Sequence, residues 1–230
     1  HFLDETHGFA LGVPKRFEET RDGGLTWKPV PAGAEPSTKP ENTHYFGMTF
    51  LGKNRGIALG VSSPPRPGRR NDLPDWMDPE AASKRRQWPS MMITIETFDG
   101  GATWKPQTVP AFGVPTRIRL SPNGKRGLVL IRFTQSFEFP SELYWLGAKQ
   151  ENPRAFRETD RMVTDMGFLD DRTAVLAAIE PSAKLHTLPV PGKLRILFGV
   201  DSLGWAETKV DYRASGREAM LRIVSEHEAW

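Results

Sequence analysis

Thr20-Arg21-Asp22-Gly23-Gly24-Leu25-Thr26-Trp27-Lys28-Pro29 recurs as Thr97-Phe98-Asp99-Gly100-Gly101-Ala102-Thr103-Trp104-Lys105-Pro106, and only the second and sixth residues differ. Each copy reads as a hairpin turn. The Asp carboxylate can accept hydrogen bonds from the amides that follow it, and Gly-Gly supplies backbone with positive φ at no steric cost. Thr-Trp then opens the return strand, where the indole is expected to close the outer edge of its unit. Truncating such a Trp to Ala costs roughly 3–5 kcal/mol where it is buried.

A second phrase repeats ahead of each turn. Phe2-Leu3-Asp4-Glu5-Thr6-His7-Gly8-Phe9-Ala10-Leu11-Gly12-Val13 matches Phe50-Leu51-Gly52-Lys53-Asn54-Arg55-Gly56-Ile57-Ala58-Leu59-Gly60-Val61, and weaker copies begin at Leu120 and Phe168. The starts at 2, 50, 120 and 168 are spaced by 48, 70 and 48 residues. Periods of that size mark arrays of four-stranded units. In the second unit the strands are expected at Tyr45 to Leu51, Gly56 to Val61, Met91 to Phe98 and Thr103 to Val109. In the later units Leu143 to Leu146 reads as a third strand with Phe156 in the Trp role, and Leu197 to Asp201 leads to Trp205.

The pattern Ser/Thr-x-Asp-x-Gly-x-Thr-Trp is that of the Asp-box, or BNR repeat. The chain therefore resembles the sialidase-type and photosystem II stability and assembly factor-type β-propellers, the second group most closely. The fold this implies is all-β, a β-propeller of about four four-stranded blades. In these families the Asp-box is a folding element without chemistry, so Thr20, Asp22, Gly24, Thr26 and Trp27, and likewise Thr97, Asp99, Gly101, Thr103 and Trp104, are read as structural. The 230 residues are read as one domain. Leu221 to Trp230 looks like the opening of a fifth unit, so a segment of a larger propeller is favoured over a small ring closed by residues 218–230.

Composition agrees with many short strands and tight turns: 21 Gly, 20 Pro and 38% hydrophobic residues. The net charge of +3 arises from 31 basic and 28 acidic residues, a balance that demands no nucleic-acid partner. Cysteine is absent, which excludes disulfides, thiol catalysis and Cys-ligated zinc. The histidines, His1, His7, His44, His186 and His227, lack ligand spacing, so neither a metal nor a cofactor is expected. No run reaches transmembrane length.

The 70-residue spacing is explained by an insertion over residues 62–90. Asp78 as N-cap, Pro79 at the first position and Lys84-Arg85-Arg86 at the far end predict a short helix over Pro79 to Gln87. Arg69, Arg70, Arg85 and Arg86, with Trp76 and Trp88, form a candidate docking surface or a solvated loop offset by nearby acids. In an antiparallel blade the connections alternate between ends. The long ones, Pro31 to Thr43, Ser62 to Ser90 and Glu180 to Lys193, fall on the end opposite the Asp-boxes, where binding sites are usually built.

Two functions follow by analogy. The first is a non-enzymatic binding or assembly scaffold holding a protein partner on the long-loop face. The second is a sialidase-like glycan-processing enzyme or lectin, which needs an arginine clamp, a Tyr-Glu nucleophile pair and an acid/base. Thr116-Arg117-Ile118-Arg119-Leu120 is similar to the sialidase Arg-Ile-Pro signature but lacks its Pro, and Tyr45, Tyr144 and Tyr212 are the available phenols. Arg117 and Arg119 are accordingly binding candidates, or strand residues facing the channel or a neighbouring blade. His7, Arg55 and Arg126 all precede the Gly of a first turn and could form a partial basic ring. The resemblance also implies export, to the periplasm or beyond.

Overall fold

The structure is a computed structural model and describes residues 1–63, 89–111, 113–133, 140–146, 154–181, 191–200, 204–210 and 215–230. It divides into two compact units, His1–Pro115 and Thr116–Trp230. The fold is all-β, built of the antiparallel meanders that serve as blades in a β-propeller.

In the first unit, β1 (Gly8–Gly12), β2 (Arg16–Thr20) and β3 (Lys28–Pro29) form a three-stranded sheet, with Phe2 joined to Gly8 by a single bridge. A complete blade follows: β4 (Thr43–Leu51), β5 (Arg55–Ser62), β6 (Ser90–Thr97) and β7 (Lys105–Ala111), in sequential order. The repeated phrase has a packing reason. Phe50 lies across Gly56 and Phe2 across Gly8, and a Cβ added at Gly8 would sit 2.7 Å from the Phe2 ring. The expected strands of this blade are all present, each within two residues of its predicted start.

The second unit contains β8 (Val114–Leu120), β9 (Gly127–Arg132), β10 (Ser141–Leu146) and β11 (Arg154–Arg157), then β12 (Met162–Phe168), β13 (Thr173–Pro181), β14 (Gly192–Val200) and β15 (Trp205–Lys209). Phe156 and Trp205 occupy the Trp positions and meet edge-on at 5.9 Å. A terminal hairpin, β16 (Ile223–Ser225) and β17 (Glu228–Ala229), forms a two-stranded sheet. Inner strands β4 and β12 carry the same β-bulge, at Phe46 and at Thr164, four residues before Phe50 and Phe168.

Within each unit the core lies between its two main sheets. Phe9, Phe17, Tyr45, Ala58, Ile93 and Ile95 fill the space in the first unit, and Leu128, Leu130, Leu143, Met166 and Leu176 do so in the second. Each such fully buried large side chain contributes roughly 1.5–3 kcal/mol.

The two Asp-boxes are built alike. Gly23, Gly24, Gly100 and Gly101 have φ of 71°, 93°, 72° and 94°. Asp22 accepts from Thr26 N at 2.8 Å, Thr26 Oγ1 at 2.5 Å and Thr20 Oγ1 at 2.8 Å, and Asp99 accepts from Thr103 N, Thr103 Oγ1 and Thr97 Oγ1 at 2.8, 2.6 and 2.8 Å. Gly23 N and Gly100 N donate at 2.9 Å to Thr6 O and Asn54 O, tying each Asp-box to the first turn of its own blade.

The two tryptophans differ in their neighbours. Trp27 meets Phe2 and donates to Gly24 O at 3.1 Å. Trp104 instead packs edge-on against Phe9, Phe17 and Phe50, joining two sheets.

Candidate functional site

Arg117 and Arg119 point to the same side of β8, because strand side chains alternate. Opposite them on β12 stands Asp165, its side chain only 4% exposed. Its Oδ1 lies 3.3 Å from Arg117 Nε and 3.5 Å from Arg119, and also accepts from Met166 N at 2.9 Å. Its Oδ2 accepts from Leu221 N at 3.0 Å. One carboxylate thus holds two guanidinium groups side by side and ties down the segment leading to the terminal hairpin.

The bulge at Thr164 creates this arrangement. It changes the register between Val163 and Asp165, and Thr164 Oγ1 exchanges hydrogen bonds with Ala219 at 2.9 and 3.1 Å. The two arginines remain 37% and 42% exposed, so each keeps N–H donors for a further acceptor. Two cations and one anion leave the triad at +1, suited to an acidic group on a ligand.

Of the other sequence candidates, Arg69, Arg70, Trp76, Arg85, Arg86 and Trp88, and the helix expected over Pro79 to Gln87, lie outside the described residues. The candidate basic ring is drawn back onto the blades. His7 Nε2 is 2.8 Å from Glu19, Arg55 bonds Glu96 at 2.8 Å in a buried pair, and Arg126 lies 4.3 Å over the Trp145 ring. Each partner, Glu19, Glu96 or Trp145, directly precedes the residue paired with Gly8, Gly56 or Gly127.

Asp22 and Asp99 have their carboxyls lowered to about 2, first by the Thr26 and Thr103 hydroxyls and then by the backbone amides of the same residues. They are held as turn elements. Among the described residues no group of three or more His, Asp or Glu could hold a metal ion.

The phenols do not join the arginines. Tyr45 donates to Gly33 O at 2.7 Å and burial pushes it up to about 12. Tyr144 donates to Glu142 at 2.9 Å on β10, where Glu142 also pairs with Arg157. Tyr212 lies outside the described residues. Arg117 and Arg119 face a neighbouring blade's strand and its carboxylate, the arrangement that counts against a sialidase clamp.

Asp165 was not singled out from sequence. Its signal was available, since 165 − 117 = 48 is the repeat length, which puts the acid at the same place in its blade as Arg117.

No protein-family model matches the chain. It is 30% identical over 183 residues to the photosystem II assembly protein Ycf48 of Thermosynechococcus vestitus. The chain is similar to an assembly protein. The match takes in 74% of this chain and 50% of Ycf48, so the chain spans about half the length of the curated relative. Cobalt-substituted Synechocystis ACO superposes with a TM-score of 0.50 at 9% identity, over 90% of this chain and 47% of that one. A solved structure of Ycf48 bound to D1 peptide matches at TM-score 0.31 and 17% identity, covering 99% of this chain and 87% of that one. No helix among the described residues is long and apolar enough to cross a membrane.

Proposed function

We propose that this chain is a binding and assembly scaffold that holds a protein partner, and that Arg117 and Arg119, set by Asp165, receive an acidic group of that partner. The observation that carries the reading is the 30% identity with Ycf48 over most of the chain. The half-exposed arginine pair supplies the chemistry, because guanidinium groups fixed by an internal carboxylate meet a second carboxylate without first having to be ordered. The specific form of the proposal is a role in photosystem II assembly with a D1-type peptide as ligand. The same reading carries an exported location, tested by fractionation of cells expressing the full gene product.

The test is fluorescence anisotropy with a labelled D1 peptide against the wild-type chain and the R117Q/R119Q variant. Saturable binding is expected, weakened about tenfold or more in the variant while the melting curve stays put. Equal affinity in both proteins would remove the arginines from the site. No saturable binding by the wild-type chain would reject a D1-type ligand.

A further inference from the structure

Lys15 lies in the turn between β1 and β2, at the end of the blades opposite the Asp-boxes, with φ of 44° in the left-handed region. The connection from β3 to β4, residues 31–43, emerges at the same end. The Lys15 ammonium reaches into it and donates to Ala34 O at 3.0 Å, Pro36 O at 2.6 Å and Thr38 O at 3.1 Å. An ammonium has three N–H donors, and each has a carbonyl acceptor here. Burial lowers the lysine from its ordinary value.

Three carbonyl oxygens from alternate residues, aimed at one point, repel one another unless a cation sits between them. Other contacts fix the margins of the connection. Tyr45 OH bonds Gly33 O, Thr43 Oγ1 bonds Lys39 O at 2.8 Å, and Lys15 N bonds Thr43 O at 2.7 Å. Between those margins, residues 34–38 make the short-range backbone bonds Ala34 N to Pro31 O and Thr38 N to Pro36 O. The ammonium is what gathers this stretch.

We infer that Lys15 is a positioning residue: its ammonium fills a cage of backbone carbonyls and sets residues 34–38 as a rigid platform on the long-loop end, presenting Glu35, Ser37 and Lys39 outward. All three are exposed. The inference concerns the fold of this connection and does not rest on the scaffold reading.

Hydrogen exchange read by mass spectrometry on the full chain tests it. In Lys15→Met, the Ala34 and Thr38 amides, which are hydrogen-bonded in this stretch, should exchange about tenfold faster or more, as expected for loss of a charge-assisted hydrogen bond, while Gly24, Thr26, Gly101 and Thr103 keep wild-type protection. In Lys15→Ala, added n-propylammonium should restore slow exchange at Ala34 and Thr38, and tetramethylammonium, which has no N–H, should not. Unchanged exchange in Lys15→Met, equal loss at the Asp-box amides, or failure of rescue would each overturn the proposal. Should a variant fold poorly, acetylation of the wild-type chain decides: Lys15 is expected to react more slowly than Lys39 or Lys53, and equal rates would reject the cage. None of these readouts involves a partner, so the platform can fail while D1-peptide binding stands, or the reverse.

Discussion

Trp104 stands edge-on to Phe9, ring centroids 5.2 Å apart and planes at 83°, although the two belong to different sheets. Its counterpart Trp27, in a nearly identical decapeptide, has Phe2 as its aromatic neighbour. Trp104→Ala should therefore destabilise the chain by about 3 kcal/mol or more, and Trp27→Ala by less, in denaturant unfolding. The indole N–H of Trp104 is buried and has no acceptor among the described residues, whereas that of Trp27 bonds Gly24 O. Replacement by Phe should accordingly be milder at 104 than Ala is, and should cost a hydrogen bond only at 27. Equal losses at the two sites would refute the inter-sheet role.

Gly24 and Gly101 share a left-handed conformation, so alanine is strained at both. Their surroundings differ. A Cβ at 101 would run into the Phe9 ring, whereas at 24 the nearest atom is 3.6 Å away. Gly101→Ala should lower the melting temperature more than Gly24→Ala, and the reverse order would show that Phe9 yields freely.

Acid should act through the two turn carboxylates. Both are lowered to about 2 in the folded chain, below the ordinary carboxyl value. A depressed folded value means that the stabilisation is present above the unfolded value, roughly pH 4, and is lost as pH falls through about 2. Asp22→Asn and Asp99→Asn should flatten the stability profile between those limits and leave peptide binding per folded molecule intact. A slope unchanged in the double variant would mean that other groups carry the acid sensitivity.

Arg55 and Glu96 form a buried pair, with Arg55 also donating to Gly56 O at 3.0 Å and lying 4.1 Å over the Phe98 ring. Glu96→Ala leaves a buried cation uncompensated and should cost about 3–5 kcal/mol, while replacing both residues by apolar ones of similar volume should recover much of that loss. The pair His7–Glu19 occupies the same repeat position but is less buried, its side chains 12% and 24% exposed, and Glu19→Ala should cost about 1 kcal/mol. Similar penalties at 19 and 96 would contradict the difference in burial.

Much of the blade architecture was legible because the Asp-box specifies a turn by local chemistry: a carboxylate, two glycines and a hydroxyl all lie within eight residues. Once that turn is placed, its strands follow, and even the degenerate units yielded Phe156 and Trp205. What escaped the reading is relational. Asp165 matters because a bulge one residue earlier turns it toward arginines in the preceding blade. Lys15 matters because three backbone carbonyls converge on it, and carbonyls carry no residue identity. The direction of Trp104 is not legible for the same reason, since two of its three aromatic partners, Phe9 and Phe17, come from the preceding sheet. The cationic and aromatic residues of the 62–90 insertion lie outside the described residues.

Arg117 and Asp165 occupy equivalent places in consecutive copies of one repeat, yet they carry opposite charge. An array of similar blades is exposed to a mistake that a unique fold is not, because one copy can stack where another belongs. Opposite charges at a shared address make the order of neighbours readable. A blade bearing Arg at this position meets Asp only when its proper successor follows, and a second Arg-bearing copy in that place would set like charges face to face. Divergence at this one position labels one junction, between the blade that carries Arg117 and the blade that carries Asp165.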